Sequence, residues 1–391
     1  VSSSAEDLSF ENELDTVVAA VARRRIAVIG IRGLPANYGG LETCAREVCT
    51  RWARAGNDVL VYCRSNRYPV RAPTYDGVKL RYLPSIPSKS LDTISHTFLC
   101  VLHLMFVNRG YRNVHLYNTG NAIFMPLLRL AGKHVVLSGD GIEWKRQKWG
   151  RVAKFVHRLG EKLAARFANH IVVDNEEVGA YYQRTFDVPT VLIAYGANEP
   201  VFDQERSAQL MERHSLVSGN YFLFVGRIVP EKAVHELIEA YKSIRTDCPL
   251  VIIGDDDSKS EYRNRVFAEA SDRVRFLGFV YNEDYEQLLL NARMYVSASR
   301  LEGTSPSLLA AMGAGVCCLV NGIPENLATV KGSVPTYREN DVADLIVRWQ
   351  VLADDPAAAE AAAKLGRQCV REHYSWDAVA DGYYRLFRKA N

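Results

Sequence analysis

The chain has 391 residues, more than one ordinary domain holds and enough for two of roughly 180 residues each. Hydrophobic residues make up 48% and charged residues 24%, a soluble globular balance, and the formal net charge of +3 is too small for a nucleic-acid-binding surface. Eight cysteines include no C-x-x-C pair, and several sit in apolar runs such as 315–320, as buried thiols of a reduced, cytosolic protein would.

Residues 1–23 are polar and weakly patterned, apart from a short helical stretch near Glu13–Ala22, and read as an appendage. They lack the basic segment and apolar run of a secretory leader. From Arg25 apolar strands alternate with amphipathic helices. Strand 26–31 leads through a glycine-rich turn into a helix over 42–55, which Gly56-Asn57 stops before strand 59–63. The apolar stretch 94–107 carries His96 and His103 and falls short of the ~20 residues that span a bilayer. Short apolar runs follow at 114–117, 134–138 and 171–174, so the expected fold is a parallel sheet with helices on both faces.

Pro189, Gly196 and Pro200 interrupt this pattern, and a second series begins at Tyr221. Its strands are expected at 221–225, 250–253, 274–276, 294–297 and 316–320, and a last helix from Trp376 to Lys389 carries Tyr383, Tyr384 and Phe387 for docking. The predicted organisation is an appendage (1–23), an N-terminal Rossmann-like domain (24–195), a C-terminal Rossmann-like domain (196–375) and a C-terminal helix (376–391) returning to the first domain. Open α/β sheets bind ligands beyond the carboxyl ends of their strands. The loops at those ends therefore carry the candidates.

The first such loop, Gly30-Ile-Arg-Gly33-Leu-Pro35-Ala-Asn-Tyr-Gly39-Gly40-Leu-Glu-Thr43, is not a dinucleotide fingerprint. Gly39 and Gly40 let backbone N–H groups approach an anion or sugar; the plain alternative is a tight turn. Asn118 follows the run 114–117 and is a weaker candidate for acceptor or sugar contact. In Gly139-Asp140-Gly141-Ile-Glu143-Trp144, Asp140 stands between glycines at a strand end; either acid is equally suited to capping the next helix. Residues 144–166 hold eight Lys/Arg against one acid, Glu161, with Trp144, Trp149 and Phe155 interspersed. Such a segment suits an anionic membrane surface or simply a solvated face.

In the second half, Gly226-Arg227 closes a buried strand and Pro230-Glu231-Lys232 follows. A cationic pair there suits a diphosphate, and the plain alternative is an exposed ion pair with Glu231 or Glu236. Glu302, Gly303, Thr304 and Ser305 open an apolar helix, where a carboxylate suits sugar hydroxyls and the helix N-terminus suits an anion. Asp255-Asp256-Asp257 reads as a solvated turn rather than a cation site, and no histidine spacing resembles a metal site.

With these motifs in view, residues 25–389 resemble retaining glycosyltransferases of the family 4-like kind, with the two-domain GT-B fold: α/β, two Rossmann-like domains facing across a cleft. GRIVPEK (226–232) resembles the family's diphosphate site and EGTSPSLLAAM (302–312) its acidic motif. RGLPANYGGLET (32–43) and DGIEWKRQKW (140–149) resemble a bacterial subgroup that includes polysaccharide rhamnosyltransferases. The resemblance implies catalytic-site roles for Asp140, Arg227, Lys232 and Glu302, with Gly39, Gly40, Gly226, Gly303, Thr304 and Ser305 joining the last three around the donor. Asp140 falls where many relatives place a histidine. Ala310 stands where the motif usually has a second glutamate, for the nucleotide ribose.

The implied reaction moves a sugar, with rhamnose favoured, from a dTDP-, UDP- or GDP-linked donor to a carbohydrate or lipid-linked acceptor. It proceeds with retention and without metal or other cofactor. The expected place is the cytoplasm, with a peripheral seat on the inner face of the membrane left open. Two other readings stand beside it: a nucleotide-sugar epimerase, and a degenerate protein that binds the donor without turning it over, which Ala310 would suit.

Overall fold

In a computed structural model the described residues are 23–36, 39–88, 91–139, 142, 144, 150–256 and 260–387. They form two compact units, one of the described residues up to 193 with 380–387, the other of those within 194–379. The helical stretch expected near Glu13–Ala22 lies outside the described residues.

In the first unit β1 (Arg25–Ile29), β2 (Asp58–Arg64), β3 (Thr74–Tyr75), β4 (Val78–Leu83), β5 (Asn113–Tyr117), β6 (His134–Ser138), β7 (His170–Val173) and β8 (Val191–Leu192) make one sheet. Its order is β3-β4-β2-β1-β5-β6-β7-β8, parallel except for the antiparallel β3–β4 pair. β1, β5 and β6 are almost wholly buried, as strands covered by helices on both faces must be. One core layer gathers Ile29, Leu116, Leu137 and Val173 around Leu104 and Met125. The other face is closed by the end of the chain. The Trp52 indole donates to the Ala380 carbonyl at 3.0 Å, the Arg24 guanidinium stacks 3.8 Å over the Tyr384 ring, and Phe387 meets Trp52 edge-on. The last helix, Trp376–Arg385, thus supplies Tyr384, and the residues just after it Phe387, to complete the first unit.

The second unit has β9 (Phe222–Val225), β10 (Leu250–Ile253), β11 (Val274–Gly278), β12 (Met294–Ser297), β13 (Cys317–Asn321) and β14 (Thr336–Tyr337). Their order is β11-β10-β9-β12-β13-β14, all parallel. Trp349 is fully buried at its centre, edge-on to Phe222 and against Tyr241. The eight cysteines are all buried and unpaired, behaving as small apolar side chains. Among the described residues no helix is long and apolar enough to cross a membrane.

Both sheets reverse their winding once. In the first unit the chain runs outward from β1 through β2 to β4, then returns to β5 on the other side of β1. In the second it runs from β9 to β11, then returns to β12. At such switch points neighbouring loops diverge and leave a crevice beyond the strand ends.

Candidate functional site at the two switch points

At the β9/β12 switch point of the second unit, β9 ends in Gly226-Arg227. A single turn of 3-10 helix, Pro230–Lys232, follows, with proline at its start because that position needs no N–H donor. β12 leads to Glu302 and the helix Pro306–Gly313. The Lys232 ammonium pairs with Glu302 Oε1, their side chains 17% and 9% exposed. Lys232 is therefore not engaged by Glu231 or Glu236, the alternative partners its sequence neighbourhood offered. Glu236 instead takes the Arg300 guanidinium at 2.5 Å, while the Arg300 N–H donates to the Glu231 carbonyl at 2.9 Å.

Two strand ends seventy residues apart in sequence are thus held together by one ion pair and one backbone bond. Arg227 lies half-buried beside them, and among the described residues no acid or acceptor engages its guanidinium. Glu302 keeps Oε2 uncommitted among those residues. The helix Pro306–Gly313 has Ser305 at its N-cap with no side-chain cap bond, so its first N–H groups point outward unclaimed by that side chain. Thr304 and Ser305 are buried and Gly303 half-buried. An unengaged guanidinium, an ammonium and a helix N-terminus can together hold a diphosphate, and the free carboxylate oxygen can accept from hydroxyls.

Tyr295, on β12, was not singled out by its sequence. Its hydroxyl meets Ser307 Oγ at 3.1 Å, and burial, with the Glu302 charge adding, pushes the phenol pKa up, so it remains a proton donor. Gly226 passes tightly under its neighbours. Its carbonyl is 2.0 Å from where a Cβ on Gly254 would stand, so Gly254, at φ +126°, admits no side chain.

Asp255 is not offered to a cation. Arg263 grips it bidentately, with Nη2···Oδ2 at 2.8 Å, and that bond holds the carboxyl below its usual range. Asp257 lies outside the described residues, among which no group of acids, histidines or cysteines is spaced for a metal.

At the β1/β5 switch point of the first unit, Gly30 has φ +94° and a Cβ there would stand 2.2 Å from the Tyr117 carbonyl oxygen, so only glycine fits. Gly39 is extended at the N-cap of helix Gly40–Arg54, and Glu42 in its first turn accepts the Arg32 N–H at 3.2 Å. Glu42 is buried, which raises its pKa against the backbone and Arg32 contributions. It is a loop-fixing residue that the glycine pattern around it obscured.

Asn118 has φ +71° and its Oδ1 accepts the Gly120 N–H at 2.9 Å, capping the 3-10 turn Thr119–Phe124. That is a turn-forming role, with asparagine present because it tolerates this backbone. Asp140 and Glu143 lie outside the described residues.

Residues 39–198 match the family described as a glycosyl transferase 4-like domain, and residues 209–367 match the glycosyl transferases group 1. An alpha-D-kanosaminyltransferase of Streptomyces kanamyceticus is 27% identical over 298 residues, which cover 71% of this chain and 76% of that one. The O-antigen chain mannosyltransferase C of Escherichia coli is 23% identical over 368 residues, 90% of this chain and 95% of its own. The fold is shared with Anabaena HepE in its complex with UDP-glucose, with a TM-score of 0.75 at 13% identity, covering 92% of this chain and 98% of that one. With one family matched on each Rossmann-like half, the chain belongs to the glycosyltransferases of the GT-B fold.

Proposed function

We propose that this glycosyltransferase takes its sugar from a nucleoside diphosphate and passes it to a hydroxyl of a carbohydrate or lipid-linked acceptor during assembly of a surface polysaccharide. The observation that carries the donor is the Lys232–Glu302 pair across the β9/β12 switch point, next to the unengaged Arg227 and the N-terminus of helix Pro306–Gly313. Arg227 and Lys232 hold the diphosphate and stabilise the negative charge it gains on leaving. Glu302 accepts from the sugar hydroxyls and fixes the ring over the departing group.

The bond between the anomeric carbon and the diphosphate oxygen breaks, the acceptor oxygen bonds to the same face of that carbon, and its proton passes to the leaving phosphate. This retaining course and rhamnose as the sugar follow the motif resemblance of residues 32–43, 140–149 and 302–312. UDP-glucose, held by the Anabaena neighbour, is one donor of the required class, and dTDP- and GDP-sugars are the others. The mannosyltransferase relative supports a polysaccharide acceptor. None of the three relatives above is named an epimerase.

The test is calorimetry of the full chain with UDP, dTDP and GDP. One of them binds the wild type, and Arg227→Ala weakens it by roughly 10- to 150-fold, the factor for a lost hydrogen bond to a charged group. Undiminished affinity in Arg227→Ala removes the second unit's switch point from donor binding.

A further inference from the structure

The helix Arg151–Phe167 follows β6 and carries five of the cations counted between Trp144 and Arg166. Its inward stripe is His157, Gly160, Glu161 and Ala164, at the spacing of one helix face. Gly160 abuts the turn Thr119–Phe124 so closely that a Cβ there would stand 2.2 Å from the Thr119 carbonyl oxygen. That contact fixes which way the opposite face points.

Arg151, Arg158, Lys162 and Arg166 lie exposed on the opposite face, interleaved with Val152, Phe155 and Leu159, which are 79%, 66% and 38% exposed. The helix's one acid does not offset them. Glu161 is turned inward, accepting from Trp144 Nε1 at 3.2 Å and the Tyr181 hydroxyl at 2.8 Å. Among the described residues no acid lies within ion-pair distance of Arg151, Lys154, Lys162 or Arg166. Arg158 stacks on the Trp144 ring at 4.2 Å.

We infer that this face is a docking surface for an anionic lipid bilayer. A second copy of the chain related by a two-fold axis would set these cations against themselves. A polynucleotide would take the charges and leave Val152 and Phe155 against water. A bilayer surface accepts both, headgroup phosphates meeting the cations while the apolar side chains enter the acyl boundary. β6 and β7 are parallel, so the helix between them runs back along the sheet and its N-terminal end lies at the carboxyl edge. The docking stripe therefore starts at the edge that carries the ligand loops, as suits the lipid-linked acceptor proposed above. The surface itself stands without that reading.

The test is flotation of the full chain with vesicles of phosphatidylcholine alone or with one third phosphatidylglycerol. Binding is expected only to the anionic vesicles, and to fall several-fold between ~0.1 M and ~1 M salt as the Debye length shrinks from ~10 to ~3 Å. Lys162→Glu should weaken it by at least about fivefold, roughly the share of one cation near an anionic leaflet, and Phe155→Ser several-fold through the lost apolar burial, both positions being exposed. Wild-type nucleotide affinity in both variants shows the fold and the donor site intact. No flotation at low ionic strength, or flotation indifferent to either substitution, overturns the inference. So does self-association in sedimentation velocity that Phe155→Ser abolishes, since the face then belongs to a second copy.

Discussion

Lys232 and Glu302 form an ion pair that is mostly buried yet open to the donor, so its two members should respond in opposite ways to nucleotide. An exposed pair contributes ~0–1 kcal/mol, and removing one member of a fully buried pair costs ~3–5 kcal/mol. With side chains 17% and 9% exposed, Lys232→Met should cost the second unit about 2–3 kcal/mol, because the Glu302 carboxylate then lacks its counter-charge in a poorly solvated place. The same change removes a charge-assisted contact to the diphosphate and should weaken nucleotide binding by roughly 10- to 150-fold.

Glu302→Gln also breaks the ion pair, but it removes a negative neighbour of the diphosphate. It should therefore bind free nucleoside diphosphate at least as tightly as wild type, while weakening the nucleotide sugar, whose hydroxyls lose their charged acceptor. Thermal unfolding of both single variants and the double variant gives the coupling, expected at ~1–2 kcal/mol, and calorimetry with nucleoside diphosphate and nucleotide sugar gives the split. Equal loss of free nucleotide binding in Lys232→Met and Glu302→Gln would refute the reasoning, since both would then act only through the fold.

Two other outcomes are expected. His115 is buried, 2.7 Å from Ser138 Oγ, and burial lowers its pKa to about 3. The unfolded chain therefore binds the extra proton first, and stability is lost as pH falls from ~6.5 towards that value, by up to ~1.4 kcal/mol per pH unit. His115→Gln should flatten this slope in chemical unfolding between pH 6 and pH 4, and an unchanged slope would assign it to other groups. Ala310→Glu restores the carboxylate that relatives place over the ribose and should tighten nucleotide binding several-fold without altering base preference. Weaker binding in a folded Ala310→Glu would mean that another group fills that space.

Strands β6, β10 and β12 were legible to the residue because each is a short apolar run between turn signals. β4, Val78-Lys-Leu-Arg-Tyr-Leu83, is covered on one face and alternates accordingly, so it stands apart from the continuous apolar runs that mark the buried strands. β8 and β14, two residues each, are too short to carry any period. The candidate loops are marked in the sequence by glycine and charge at strand ends. Their pairing is not, because Lys232 reaches Glu302 only through the strand order that sets β9 beside β12. Asn118 has a local task that its place at a strand end did not announce, since its backbone angle and the cap bond through Oδ1 are set by the turn that follows.

A crevice at a switch point is cheap to make and poor at holding shape, because its two loops leave in opposite directions. In the second unit that weakness is offset before any ligand arrives. The Lys232–Glu302 pair and the Arg300 N–H to Glu231 carbonyl bond tie the β9 loop to the β12 loop, and Arg300 reaches on to Glu236 in the helix that follows. The cations are thus positioned by carboxylates rather than left to repel one another, so the diphosphate proposed above would meet a fixed site with little reorganisation to cost it affinity. Arg227 is the exception among these charges, engaged by nothing described around it. Within that paired loop network the Arg227 guanidinium, just past the end of β9, is the charge left for the diphosphate proposed above to engage.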